Sequence, residues 1–265
     1  MSDDKKVSIS LPGEWILQKT LGPVLVEIGD DLKRVYTKGR DKIIEKAYKK
    51  IDNPEDNKSA NLRIAHDVLT NGAFTDNEIC AEYFGGVLAS SRSEGGENDD
   101  AMQLLNTIKS LSSKQLYLHY IIYNSLNKLL TAEETPINVG QSDQIQRKRI
   151  WLNLEELNKL KIKHDTDFNI LHRLGLLESY QTNIHKISEM HLFPYACAAP
   201  TTYGVLLYSV AHNALPKWRL FSQELFPDFD EVALPQKYAF SLNELIKIDD
   251  MAHAHFSLTP PGTIY

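Results

Sequence analysis

The chain has 265 residues, is 42% hydrophobic and 24% charged, and carries a formal net charge of −6. That balance is ordinary for a soluble globular protein with room for one large domain or two small ones. No apolar run approaches the roughly 18–20 residues of a membrane span, and no segment is basic enough as a whole to read as a nucleic-acid domain.

Met1–Ser10 is polar, with no apolar core behind it, and reads as a frayed arm rather than a secretory signal. Leu11-Pro12-Gly13 turns into a short amphipathic helix with Trp15, Ile16 and Leu17, broken at Leu21-Gly22-Pro23. Pro23 suits the first turn of the longest periodic segment, which runs to about Ile51 with Val24, Leu25, Ile28, Leu32, Val35, Tyr36, Ile43, Ile44, Ala47, Tyr48 and Ile51 marking its apolar face. Gly39 is the expected kink. The second half of this helix is lopsided: Lys33, Arg34, Lys38, Arg40, Lys42, Lys46, Lys49 and Lys50 face only Asp41 and Glu45. It reads either as a solvated helix face or as a surface for an anion: an acidic protein, a lipid headgroup or nucleic acid.

Asn53–Asn57 reads as a loop, and 62–69 as a helix with Leu62, Ala65, Val68 and Leu69 inward, stopped by Asn71-Gly72. The hub is the next helix. Ile79, Tyr83, Phe84, Val87 and Leu88 form its apolar stripe, and Asp76 or Asn77 can cap it. Gly85-Gly86 sits inside it at a cost of about 1 kcal/mol per glycine relative to alanine, which predicts another backbone close against it. Ser93–Asp100 reads as a flexible acidic connector. Two helices follow. The first carries Met102, Leu104, Leu105, Ile108 and Leu111. The second, capped at Ser112-Ser113 and running to Leu130, is apolar on more than one side and therefore central.

Residues 131–143 make the clearest long loop, and Arg147-Lys148-Arg149 beside Trp151 reads as a solvated helix start or a phosphate contact. Asn153–Ile162 and Phe168–Leu174 read as helices, the second capped by Asp165-Thr166-Asp167 and ended by a left-handed Gly175. Ser179–Ile187 and His191–Ala196 suit a short ribbon, and Thr201 opens a further helix. Helix, tight turn, helix, ribbon and helix is the order of a winged helix-turn-helix. A last short helix holds Leu242, Leu245 and Ile246. The expected class is mainly α: a multi-helix bundle with a winged-helix-like C-terminal part carrying a short β ribbon. The expected organisation is a flexible arm over 1–10, a helical domain over 11–130, a linker over 131–149, a winged-helix-like part over 150–252 and a tail over 253–265.

Catalytic signatures are missing. The chain has no phosphate loop, no G-x-G-x-x-G after a strand, no nucleophile elbow, no cysteine pair at zinc spacing and no H-E-x-x-H. Cys80 and Cys197 sit among apolar residues and read as reduced, buried thiols of a cytosolic protein. His253-Ala254-His255, and His185 and His191 near Cys197, lack the further donors a metal needs. Lys159 and His164 have the spacing of a helical ribonuclease pair but begin with Lys, and Arg63–His66 is too short. No catalytic residue, metal or cofactor is therefore expected.

Leu11-Pro12, Gly22-Pro23-Val24 and Glu27-Ile28-Gly29-Asp30 ahead of a basic long helix resemble the bacterial Abi-alpha (abortive infection alpha) family. So do Asp76–Ala89, Ile108–Gln115, Leu174-Gly175-Leu176-Leu177 and Thr202-Tyr203-Gly204. The chain departs from the family in having Tyr83-Phe84-Gly85-Gly86 where Trp-Ala-Asn is expected. The resemblance implies a mostly helical cytosolic protein linked to defence against phage, and it carries no active-site residues to transfer.

The function expected is therefore a non-enzymatic, cytoplasmic anti-phage defence protein acting through protein–protein contacts. Its partner would be phage-derived or a second copy. Residues 114–215 carry 10 Lys/Arg against 9 Asp/Glu, which favours protein over nucleic acid there. The alternatives are an effector on an anionic membrane surface using the basic helix 33–50, a DNA-binding winged helix and, last, a nuclease.

Overall fold

A computed structural model describes residues 30–74, 76–188, 191–234 and 239–240, with side chains over 34–74, 76–184 and 194–234. The arm, the segments at Trp15 and Pro23, the helix at Leu242–Ile246 and the tail lie outside the described residues. The protein is mainly α-helical with small antiparallel sheets. Its described residues fall into two compact units. One runs up to Lys109 and includes Val210–Asn213; the other comprises Ser110–Ser209 and the residues from Ala214 on. That division lies ahead of the helix ending near Leu130, where the sequence reading put its boundary behind it.

In the first unit, α1 (Asp30–Lys49) runs through Gly39 as one helix, without the expected break. A two-residue strand, β1 (Ser59–Ala60), precedes α2 (Leu62–Gly72), whose N-terminal amides on Arg63 and Ile64 donate to the Asn61 side chain. Leu62 is 49% exposed and Ile64 is buried in its place, because the first helical residue points off the end of the packed face. The hub is α3 (Glu78–Ser90), capped by Asn77. It is buried without interruption from Ile79 to Ala89, not along one stripe. The glycine pair explains this. A Cβ on Gly85 would come within 2.8 Å of Lys46 Cβ and 2.9 Å of the Ala47 nitrogen on α1. A Cβ on Gly86 would stand 2.5 Å from Ala211 Cα and closer still to its carbonyl group. Two backbones therefore lie against adjacent glycines, the close approach expected from the sequence.

The expected flexible connector is instead structured. Strand β2 (Arg92–Ser93) pairs antiparallel with β1, and a 3-10 turn (Glu94–Gly96) follows. Asn98 pins the segment: its Nδ2 donates to the Ser90 carbonyl at 3.1 Å, and its backbone N–H to Ser93 Oγ. Gly95 and Gly96 supply the positive φ values of 75° and 67° that this reversal needs. Helix α4 (Met102–Ser110) buries Leu104, Leu105 and Ile108.

In the second unit, α5 (Ser113–Thr131) opens with a capping box between Ser112 and Gln115. It is buried on almost every side from Leu116 to Leu130, as its all-round apolar pattern predicts. One buried amide anchors the chain beyond it. Asn127 Nδ2 donates to the carbonyls of Phe221 and Glu224, and its Oδ1 accepts from the Phe226 N–H. Then come α6 (Ser142–Gln146), β3 (Ile150–Asn153), α7 (Leu154–Lys159), α8 (Asp167–Arg173), β4 (Leu177–Ser188), β5 (His191–Pro200), α9 (Thr202–Ala211), a 3-10 turn (Leu215–Leu220) and β6 (Ala239–Phe240). The sheet order is β4-β5-β3-β6, all antiparallel. The cluster Arg147-Lys148-Arg149 follows the end of α6 and leads into β3, not into a helix: Trp151 lies opposite Cys197, and Ile150 and Leu152 alternate inward at a strand's period of two. Gly175, at φ 72°, closes α8 as expected.

Candidate functional site

The basic face of α1 divides by spacing. Lys38, Lys42, Lys46 and Lys50 recur every four residues, so they share one side of the helix, and that side meets α3. The carboxylates opposite them are Asp76, Glu78 and Glu82. Lys38 Nζ lies 2.5 Å from Asp76 Oδ2, and Lys42 Nζ 2.9 Å from Asp76 Oδ1. Lys42 also bonds Glu78, and Lys46 lies 2.9 Å from Glu82 Oε1 and 3.5 Å from Glu78. Lys50 bonds the Glu82 carboxylate and donates to its backbone carbonyl at 2.9 Å. The Lys46 side chain is 2% exposed and that of Glu82 is 5% exposed. This is a ladder of ion pairs with its lower rungs sealed in the core, and it fixes the register of two helices.

Its electrostatics follow. The lysines beside Asp76, Lys38 first and then Lys42, hold its carboxyl down to about 2. Burial pulls Lys42 down, but its bonds to Glu78 and Asp76 outweigh that, and the net shift is upward. The other basic residues of α1 lie off this face. Arg40 pairs with Asp41 at 2.6 Å and Lys49 with Glu45 at 2.8 Å, while Arg34 is exposed. The Lys33 side chain lies outside those described. Lys42, Lys46 and Lys50 are thus engaged within the protein, and the anion-facing reading of the helix does not extend to them. The signal missed in the sequence was the matched spacing: carboxylates at 78 and 82 repeat the four-residue interval of the lysines.

The remaining sequence candidates do not converge. Lys159 turns to Glu156 at 2.6 Å, away from the exposed His164. His66 Nδ1 lies 3.6 Å from Asp67, and Arg63 is exposed. Lys148 pairs with Glu133 at 2.5 Å, and Arg149 reaches Cys197 Sγ at 4.0 Å. Both cysteines are free and buried. Burial pushes the Cys197 thiol up, against the opposing pull of Arg149. Among the described residues no group of His, Cys, Asp and Glu could hold a metal, and no helix is long and apolar enough to cross a membrane. One histidine that sequence reading passed over is fully enclosed. His119 stacks on Tyr123 at 4.5 Å, and its Nε2 lies 3.2 Å from the Gly204 carbonyl oxygen. Burial drives its pKa down to about 3, so it is a neutral core group.

The outer surface of the sheet is built differently. Strands β4 and β5 pair along their whole length, from Leu177 opposite Pro200 to Ser188 opposite His191. Strand β3 covers β5 only from Tyr195 to Ala198. Beyond Tyr195 the ribbon has no third strand among the described residues, and Thr182, Asn183 and Ile184 on β4 are exposed, Ile184 at 59%. Beside the ribbon, α8 turns Phe168 and Leu171 inward, Phe168 meeting Tyr180 at 5.5 Å. Asp167 staples the turn before it, accepting from the Lys163 N–H at 2.8 Å and from Gln115 Nε2 at 3.1 Å.

Compared with known proteins, the chain matches no family model, no curated protein and no solved structure.

Proposed function

We propose that the protein is a non-enzymatic defence protein of the abortive-infection type that acts through protein–protein contacts, made by a winged-helix-like part with the β4–β5 ribbon as its wing. The strand order β4-β5-β3, with α7 and α8 between β3 and β4, supports the winged-helix reading. The observation that carries the contact reading is the ribbon itself. Its β4 strand lies at the edge of the sheet, runs past β3, and exposes an isoleucine beside Thr182 and Asn183. An apolar side chain on an uncovered ribbon suits a protein partner, phage-derived or a second copy, better than a phosphate backbone. The defence role rests on the resemblance to the Abi-alpha family, as does a cytoplasmic location. The alternative on an anionic membrane keeps little of its basis, since Lys42, Lys46 and Lys50 already hold carboxylates.

Phage plating on a bacterial host expressing the protein tests this. The wild type is expected to lower plating efficiency for part of a broad phage panel. Ile184→Arg is expected to restore it without changing the circular dichroism spectrum or the protein level. No protection against any phage, or equal protection by Ile184→Arg, would reject the proposal.

A further inference from the structure

Sheet edges are ordinarily blunted by brevity, charge or proline, because a row of unpaired backbone N–H and C=O groups recruits another strand. The four-stranded sheet has two edges among the described residues. One, β6, is 2 residues long; the other, β4, is 12. Strand β4 pairs with β5 without a shift from Ser179 to Lys186, and from Ser179 to Ile184 it holds no proline and no charged residue. Helix α8 closes the start of this edge, where His172 Nδ1 lies 3.1 Å from the Leu177 carbonyl oxygen. Beyond it, Tyr180 and Gln181 are half-buried and Thr182, Asn183 and Ile184 are exposed.

Pairing with β5 decides which backbone groups face outward. Ile184 lies opposite Pro194, which has no N–H to exchange, and its own N–H donates to Asn183 Oδ1 at 2.8 Å. Ile184 therefore holds a non-hydrogen-bonded position of the β4–β5 pair, and such positions alternate along an antiparallel ladder. Tyr180, Thr182 and Ile184 consequently turn their N–H and C=O groups away from β5. The same three residues share one face of the strand. Turned about a two-fold axis at Thr182, the strand meets itself with Tyr180 opposite Ile184, Gln181 opposite Asn183 and Thr182 opposite Thr182. Aromatic–β-branched and threonine–threonine pairs both stabilise antiparallel strands. An axis one residue to either side puts Thr182 or Glu178 opposite Ile184 instead, and neither gives the isoleucine an aromatic neighbour.

We infer that β4 is a homotypic interface: it pairs antiparallel with β4 of a second copy about a two-fold axis at Thr182, joining two sheets into one. A two-fold contact needs one surface that complements itself, and the register about Thr182 supplies it. The pairing gives partners to the outward backbone groups of Thr182 and its neighbours. It also covers Ile184, which is otherwise 59% exposed. The inference rests on the reading of the ribbon as a contact surface, and it names a second copy, rather than a phage-derived chain, as the occupant.

Analytical ultracentrifugation of the full chain tests the inference. At about 100 μM the wild type is expected at twice the 30.1 kDa of one chain, since even a Kd of about 10 μM leaves most chains paired there. Thr182→Lys sets like charges directly opposite each other at the axis, and is expected at the single-chain mass with an unchanged circular dichroism spectrum. Register is read by cross-linking under mild oxidation. Thr182→Cys is expected to form a disulfide-linked dimer, because the two copies of residue 182 stand about 5.5 Å apart. Ile184→Cys is not, because the two copies of residue 184 stand roughly 14 Å apart. The wild type is the control, as Cys80 and Cys197 are both buried. A monomeric wild type at that concentration, a dimer retained by folded Thr182→Lys, or faster linkage through Ile184→Cys than through Thr182→Cys would overturn the inference. A monomer that still protects against phage overturns it and leaves the contact reading with a phage-derived partner. A dimer centred on Thr182 that gives no protection upholds it and removes the defence reading alone.

Discussion

Replacing Gly86 by alanine probes the packing of the hub helix directly. Alanine would favour α3 by about 1 kcal/mol through helix propensity. Against this, the new methyl would meet three backbone atoms of Ala211, its Cα at 2.5 Å and its carbonyl carbon and oxygen closer. A backbone cannot swing aside as the end of a flexible side chain can, so one helix must move by roughly 1 Å to restore van der Waals separation. Close-packed interiors resist such shifts, and overpacking costs about 1–3 kcal/mol; at the upper end, less the propensity gain, the net loss is about 2 kcal/mol. In a thermal melt followed by circular dichroism that is a fall in Tm of about 4–8 °C. Gly85→Ala is the internal comparison. Its nearest neighbour is Lys46 Cβ at 2.8 Å, with the Ala47 nitrogen at 2.9 Å, so its overlap is smaller and its loss should be about 1 kcal/mol or less. A Gly86→Ala protein as stable as wild type, or a larger loss at Gly85, would refute the reasoning.

The ion-pair ladder makes a second prediction. Glu82→Gln leaves the buried Lys46 and the half-buried Lys50 facing a neutral group, and should cost roughly 3 kcal/mol in urea unfolding. Lys46→Met should cost less, because Lys50 still holds Glu82. Two further predictions concern pH. The folded pKa of His119, about 3, lies below its ordinary 6.5, so the unfolded chain takes up a proton that the folded one refuses. Stability should therefore fall as pH drops from 6.5 towards 3, by at most about 1.4 kcal/mol per unit from this group, and His119→Gln should flatten that slope in urea titrations. Asp76, held at about 2 instead of 3.8, contributes fully above 3.8 and loses its contribution as pH falls towards 2. Asp76→Asn should remove that lower step and leave the His119 slope in place, as followed by circular dichroism during acid titration.

Much of the helical scaffold could be read from the chain. The cap at Ser112, the left-handed Gly175 and the all-round apolar pattern of α5 are local signals, and each appears where the pattern puts it, whereas α2 runs through Asn71 to Gly72 instead of stopping ahead of them. The cluster Arg147-Lys148-Arg149 reads as a helix start in the sequence but leads into a strand, because four strand residues are too few to display their period. The connector at Ser93–Asp100 was misread because acidic and glycine-rich composition says nothing of Asn98 bonding to Ser90. The anion-facing reading of α1 failed at Lys42, Lys46 and Lys50 for the same kind of reason: a count of charges along one helix omits the carboxylates of another.

By itself, then, the sequence determined which segments form most of the helices, and that Gly85-Gly86 needs a close neighbour, since these depend on backbone conformation and on residues within a few turns of each other. Only the tertiary structure decided which backbones those neighbours are, and that the lysines of α1 are answered by carboxylates at the start of α3. Those outcomes depend on pairings between residues tens of positions apart, and the free energy of a charge is set by what the fold places beside it.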